Sequence, residues 1–285
     1  MALNLDAIGQ DWDAGECSWT HKDAILYALG VGAGGVDPRD ELAFTTENSH
    51  GVTQRVLPTF AVVANLVHGL PKAGPEYGDF PHGNILHAEQ SVTLHAELPV
   101  EGSARLTSRI AAMYDKGKDA LIVVETAATD AKSGEPLYDT RRSIFVRGEG
   151  GFGGERGASR SVAIPDRAAD HVVTYSTRAD QALLYRLSGD TNPLHSDPSF
   201  AKAAGFERPI LHGLCTFGFA GRALLHAVCD SDPSRFASMS TRFSAPVLPG
   251  QDLEVHIWVQ DDLATFQTRV GGTVVLDRGT FQWRR

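Results

Sequence analysis

The apolar positions divide the chain into two blocks, each a helix followed by strands, with a glycine-rich joint between them. In the first block "HKDAILYALGVGAGG" is a short helical pattern stopped by glycines. "LPTFAVVANLVHGL" predicts a helix starting at Pro58, with Phe60, Val63 and Val67 on one face. Four strand-like runs follow: "NILHAEQSVTLHAEL", "ARLTSRIAAMY", "ALIVVETAAT" and "TRRSIFVRG". The joint is "GEGGFGGERGASRS". In the second block "RADQALLYRLSGD" predicts a helix running into a loop. "GLCTFGFAGRALLHAV" sets Leu214, Phe217, Gly221, Leu224 and Val228 along one helical face. "DLEVHIWV" alternates, with Leu253, Val255, Ile257 and Val259 on one side, and "TFQTRV", "TVVLD" and "GTFQWRR" complete an antiparallel set. The boundaries expected are a first domain over 1–147, a linker over 148–170 and a second domain over 171–285.

An internal repeat supports this division. "AILYALGVGA" from Ala24 and "ALLYRLSGDT" from Ala182 align with Tyr27 opposite Tyr185 and Leu29 opposite Leu187. In that register Gly32 stands opposite Asp190, so the first copy lacks the acid. The asymmetry predicts one active half and one shaping half.

Composition narrows the class. The chain has 285 residues, 42% of them hydrophobic and 21% charged, which is ample for a globular core. A net charge of −9 argues against a surface that tracks nucleic-acid phosphates. Cys17, Cys215 and Cys229 are few, odd in number and far apart, which points to reduced thiols and a cytoplasmic setting. The acidic start "MALNLDAIGQDWDAGE" reads as no signal peptide, the end "TFQWRR" as no peroxisomal address. No apolar run approaches the roughly 20 residues of a membrane span.

Two glycine motifs match the dinucleotide fingerprint literally: "GVGAGG" (Gly30, Gly32, Gly35) and "GEGGFG" (Gly148, Gly150, Gly153). The motif needs a strand before it and a helix after it. The first follows a helix and the second opens no helix, so neither reads as a nucleotide site. His82 and His87 stand too far from other ligands to argue for zinc, and no metal is expected.

"YRLSGDTNPLHSDPSF" carries the candidate chemistry. Asn192 before Pro193 can cap one helical turn; Asp197 before Pro198 can cap "PSFAKAAGF", closed by Gly205. Capping leaves Asp190 and His195 unexplained. A compact turn brings this carboxylate and imidazole to one side of a loop, where they can share a water and move protons. From spacing alone that reading stands beside a histidine satisfied within its loop. Downstream, "ERPILHGLCTFG" places Gly213 at the start of the apolar helix, where unsatisfied N–H groups at the positive dipole end can hold a carbonyl oxygen gaining charge.

"LSGDTNPLHSDPSFAKAAGFERPILHGLCTFG" resembles the signature of the (R)-specific enoyl-CoA hydratases, the hydratase 2 or MaoC-like group. "FSAPVLPGQDLEV" is similar to the strand and loop that follow it. "YALGVGA", "VLPTF", "ILHAEQ", "YDKGKDALIVV" and "GGFGGERG" resemble the N-terminal half of the two-domain members, so the likeness spans nearly the whole chain. It implies an α+β double hot-dog fold, each half an antiparallel sheet wrapped around a central helix. It implies a water-holding dyad of Asp190 and His195, an orienting Asn192 and a backbone donor at Gly213. His212, Leu214, Thr216 and His87 would contact the substrate. Eight residues beyond Gly213, some short members carry an assisting serine where this chain has Gly221, with Thr216 as a weak substitute.

The resemblance implies reversible syn hydration of trans-2-enoyl-CoA to (3R)-3-hydroxyacyl-CoA, with no cofactor, the CoA thioester being the substrate. The degenerate first half would widen the acyl tunnel. The rivals are a hot-dog acyl-CoA thioesterase, a 3-hydroxyacyl-acyl-carrier-protein dehydratase and a non-catalytic acyl-CoA-binding protein. Oligomeric state stays open between a homodimer and a monomer whose fused halves already satisfy the pairing of hot-dog sheets.

Overall fold

A computed structural model describes residues 3–69, 71–80, 82–157 and 162–285, the side chain of His82 excepted. In chain order the first half holds β1 (Asp11–Trp19), α1 (His21–Gly30), α2 (Leu42–Thr45), β2 (Ile85–Leu94), β3 (Gly102–Asp115), β4 (Ala120–Asp130) and β5 (Pro136–Val146). The second holds β6 (His171–Ser176), α3 (Gln181–Tyr185), α4 (Pro198–Ala203), α5 (Gly213–Val228), β7 (Phe236–Phe243), β8 (Asp252–Gln260), β9 (Leu263–Val270) and β10 (Thr273–Trp283). Between β5 and β6 the described residues form no helix or strand; part of the expected linker, 158–161, lies outside them.

All ten strands join one antiparallel sheet in the order β1-β3-β4-β5-β2-β7-β10-β9-β8-β6. Read outward from the β2–β7 seam, each half presents its second, fifth, fourth, third and first strand. The repeat in the sequence is therefore a repeat in topology. At the seam Ser91 of β2 pairs with Ser240 of β7, and the ladder runs from Glu89↔Arg242 to Thr93↔Ser238.

α5 forms over the span its periodicity predicts, and every residue from Cys215 to Leu225 is buried. A helix apolar around its full circumference must be enclosed. It packs on β6, β7, β8 and β10, so the second half is a sheet wrapped around a helix. Phe217, Phe219, Leu224 and Leu225 are at most 1% exposed; each contributes roughly 1.5–3 kcal/mol of burial. With the matching sheet of the first half, this is the double hot-dog fold.

The first half departs from expectation at its own central element. Instead of a helix reaching Val67, Pro58–Val62 is a 3-10 turn followed by further turns. Residues 56–64 are all buried, so the segment has no polar side to pair with an apolar stripe, and Thr59, Val62 and Val63 are weak helix formers. The segment is pressed onto α5. A Cβ on Gly221 would lie 2.5 Å from Thr59 Cγ2, so a threonine methyl from the other half fills the space that a side chain there would need.

Three strands were not legible. β1 is interrupted by a bulge between Asp13 and Gly15. β6 is an edge strand, exposed or half-exposed along its length. β7 has the seam on one side and β10 on the other, and its apolar positions do not alternate cleanly. Conversely, "TVVLD" and "GTFQWRR" are a single strand, β10, with register shifts around Asp277–Thr280 and Arg278 at φ +53°.

The halves are locked by aromatic and ionic contacts. Tyr27 and Tyr185, the repeat-related pair, are both fully buried with ring centroids 6.1 Å apart. Arg222 of α5 donates to both oxygens of Glu41, at 3.0 and 2.7 Å, and to the carbonyl of Val31 at 2.7 Å. Among the described residues no helix is long and apolar enough to cross a membrane.

Candidate active site

The loop between α3 and α4 is shaped by turn chemistry of the predicted kind. Asn192 Oδ1 accepts from the Leu194 N–H at 3.0 Å, and Asp197 Oδ1 accepts from the Ser199 N–H at 2.7 Å. Gly205 follows α4 at φ +88°. Asp190 stands outside this capping except for a 3.3 Å bond from the Asn192 N–H to its Oδ1. The residue before it is fixed by two constraints at once. Gly189 has φ +112°, and a Cβ there would sit 2.3 Å from the Leu66 carbonyl oxygen. Only glycine lets the acid-bearing loop close onto the first half.

The five-residue spacing brings Asp190 and His195 together, and a third group joins them. One donor atom each from Asp190, His195 and His212 lie within 4.8 Å of one another. The tautomers follow from the bonds. His195 Nδ1 faces the carbonyl of Ile210 at 2.9 Å and must donate to it, which leaves Nε2 as a bare acceptor. His212 Nε2 faces the Asp190 carbonyl at 3.1 Å and likewise donates, leaving its buried Nδ1 without a protein partner.

Burial pushes the His195 pKa down, opposed by its bond to Ile210 and by the Asp190 charge. Burial, and then His195 beside it, push His212 down to about 3. Both imidazoles are neutral near pH 7. The two rings stack with centroids 3.8 Å apart at 28°. With both imidazoles neutral and a carboxylate beside them, the trio can hold a shared water and pass protons.

Asp190, Asn192 and Leu214 open onto a cavity of about 590 Å³. Gly189 and Thr191 of the same loop also line it, while His195, His212 and Gly213 do not; most of the wall comes from the first half: His87 and Gln90 of β2, Thr140 and Arg142 of β5, Leu106 and Ser108 of β3, and Trp12 of β1 among them. The hollow extends along the inner face of the first-half sheet, where the 3-10 turn replaces a full central helix. His87 is on this wall, its Nε2 donating to the Glu89 carbonyl at 3.1 Å and its ring 4.8 Å from that of Phe243. Burial, then the nearby Arg142 charge, push its pKa to about 4.

Gly213 is the first residue of α5, after the N-cap His212. Among the described residues no acceptor is bonded to the N–H of Gly213 or of Leu214. A Cβ on Gly213 would sit 3.1 Å from the Phe243 ring, so a bare backbone there keeps both ring and helix start in place. Thr216 is turned into its own helix, with Oγ1 3.5 Å from the His212 carbonyl, and is 2% exposed. It faces neither the cavity nor the dyad. The resemblance implies His212 as a substrate contact; its stacking on His195 depends on the fold.

These residues lie inside two regions that match known families. Residues 17–148 match the MFE-2 hydratase 2 N-terminal domain and residues 160–278 the MaoC like domain. Over 294 residues the chain is 44% identical to 3-hydroxyacyl-thioester dehydratase Y of Mycobacterium tuberculosis, covering 99% of each. It is 46% identical over 263 residues to the enoyl-CoA hydratase ChsH3 of the same organism, covering 90% of each. The solved MaoC-like dehydratase from Phytophthora capsici superposes with a TM-score of 0.89 at 31% identity, covering 99% of this chain and 98% of that one. The chain belongs to the MaoC-like dehydratase family, in the form that carries a hydratase 2 N-terminal domain ahead of the MaoC-like domain.

Proposed function

We propose that the protein is a lyase that adds water reversibly to trans-2-enoyl-CoA, giving (3R)-3-hydroxyacyl-CoA, in fatty acyl-CoA metabolism. The observation that carries this reading is the clustering of ligand atoms of Asp190 and His195 within 4.8 Å, with His195 Nε2 left as an acceptor, beside a cavity whose wall includes Asp190 and Leu214 near the start of α5. The names of the two Mycobacterium tuberculosis relatives, a dehydratase of 3-hydroxyacyl thioesters and an enoyl-CoA hydratase, support it.

On this reading the thioester oxygen lies against the Gly213 N–H, and the helix N-terminus stabilises the enolate that forms as C3 is attacked. A water donates its two hydrogens to the carboxylate and the imidazole, which directs its oxygen to C3. The proton released to the pair returns to C2 on the same face, giving syn addition. Asn192 orients the loop through its cap. Hydration is redox-neutral, so the chemistry asks for no redox cofactor. The acyl chain occupies the hollow left by the missing first-half helix, and the first half contributes shape, with His87 as a neutral wall residue. The three unpaired cysteines fit a cytoplasmic setting.

The test is loss of enone absorbance when purified protein meets trans-2-decenoyl-CoA, with chiral analysis of the product. An R alcohol from the wild type and its loss in Asp190→Asn is the expected result. Release of free CoA thiol without hydration would replace this reading with a thioesterase.

A further inference from the structure

Among the described residues three charged side chains line the catalytic cavity: Asp190, Lys72 and Arg142. Two of them have partners. Asp190 stands with the two imidazoles, and Lys72 donates to Asp13 at 2.6 Å. Arg142 is different. Its guanidinium makes one hydrogen bond among the described residues, donated to the Tyr77 hydroxyl at 3.3 Å, and no ion pair.

The sheet accounts for this isolation. Arg142 lies on β5 between Thr140 and Ile144, on the face that looks into the cavity, while Arg141 and Ser143 belong to the other face. Across the ladders it stands opposite Gln90 of β2 and Val124 of β4, neither of which can neutralise it. The carboxylates of those two strands are engaged on the far face. Glu125 pairs with Arg141 at 3.3 Å, and Glu89 accepts from the Ser143 hydroxyl at 2.9 Å.

A line of neighbours joins the start of α5 to this cation. The Phe243 ring would meet a Cβ on Gly213 at 3.1 Å and lies 4.8 Å from the His87 ring. His87 in turn feels the Arg142 charge more than any other influence except burial. A hydrocarbon chain laid along this wall would strip water from the guanidinium and return no partner. A carboxylate would meet it with two parallel N–H···O bonds, the geometry that suits arginine best. Because Arg142 is exposed, it stands where the cavity meets solvent, and an ionised group can reach it without entering an apolar interior.

We propose that Arg142, with the Tyr77 hydroxyl beside it, is a specificity subsite for an acyl chain that ends in a carboxylate, so that the preferred thioesters are those of α,ω-dicarboxylic acids. That the chain arrives as a CoA thioester rests on the hydratase reading; the preference for an anionic end rests on Arg142.

Calorimetric titration compares the saturated mono-CoA thioesters of dicarboxylic acids, hexanedioyl to dodecanedioyl, with the matching monocarboxylic acyl-CoAs. Contacts to CoA cancel within each pair, and no turnover is needed. The expected result is at least five-fold tighter binding of the carboxylated member at one length or more. Arg142→Gln should abolish this advantage, Arg142→Lys should keep part of it, and added salt should shrink it. A variant that only loosened the fold would weaken both members together and leave their ratio unchanged. Equal binding within every pair, a ratio unchanged in Arg142→Gln, or no binding of any thioester overturns the proposal. Enone absorbance with trans-2-decenoyl-CoA and trans-2-decenedioyl-CoA scores the hydratase reading separately. Tighter binding of the carboxylated member without hydration of either keeps the subsite and removes the hydratase. Hydration of both with equal binding keeps the hydratase and removes the subsite.

Discussion

Replacing Glu41 by glutamine tests the tie between the halves. The Glu41 side chain is 10% exposed and that of Arg222 3%. The carboxylate accepts from Arg222, from His226 at 2.8 Å and from the Gly34 N–H at 2.8 Å. Burial raises its pKa, but His226 and Arg222 more than reverse that and bring it from 4.5 to about 2. At about 1.36 kcal/mol per unit, a drop of that size corresponds to roughly 3 kcal/mol. Removing one partner of a buried pair leaves the other uncompensated, which independently costs about 3–5 kcal/mol. Glu41→Gln should therefore lose about 3 kcal/mol near pH 7, a fall in Tm of about 6–12 °C for a chain of this size.

The sign with pH is fixed. The folded state binds the proton less readily than the unfolded one, so this stability is complete above about pH 4.5 and disappears as pH falls toward 2. Thermal melts of wild type and variant from pH 7 to pH 3 should converge at the acid end. Glu41→Leu/Arg222→Met, which removes both charges, should cost less than the single change. A Tm shift under about 2 °C at pH 7, or a gap that widens in acid, would refute the reasoning.

Other outcomes follow from the site. Asp190→Asn and His195→Gln should each lower kcat by about 10²–10⁴ with unchanged melting, since each removes one acceptor of the water; wild-type-like turnover in either sinks the dyad. Gly189→Ala must relieve a contact of 2.3 Å with the Leu66 carbonyl and adopt φ +112°, so it should cost stability and activity together, read by melting and by enone absorbance. His212 titrates near 3 in the fold against 6.5 when free; its contribution is complete above about pH 6.5 and fades below it, and His212→Gln should flatten that part of the stability profile. Because burial also lowers His195, the acid limb of kcat/KM should fall below pH 6.5; a limb centred above it would contradict a buried neutral imidazole.

Local signals carried much of the result. The period of "GLCTFGFAGRALLHAV", the caps at Asn192 and Asp197 and the alternation of "DLEVHIWV" are properties of a few neighbouring residues, and the backbone obeyed them. The repeat, too, could be read from the chain alone, because Tyr27 and Tyr185 hold equivalent buried places. The five-residue spacing of Asp190 and His195 pointed to one loop face. What the sequence could not state depends on contacts between residues far apart. "LPTFAVVANLV" has the apolar spacing of a helix, but residues 56–64 are all buried and Pro58–Val62 folds as a 3-10 turn, beside the hollow that the cavity occupies. His212 meets His195 only because α5 begins beneath the loop. Tyr77 and Arg142 stand 65 residues apart in the chain and meet on one cavity wall because the fold lays the loop before β2 against β5. Periodicity and turn chemistry are short-range and survive in sequence; which faces meet is decided by burial of the whole sheet around one helix.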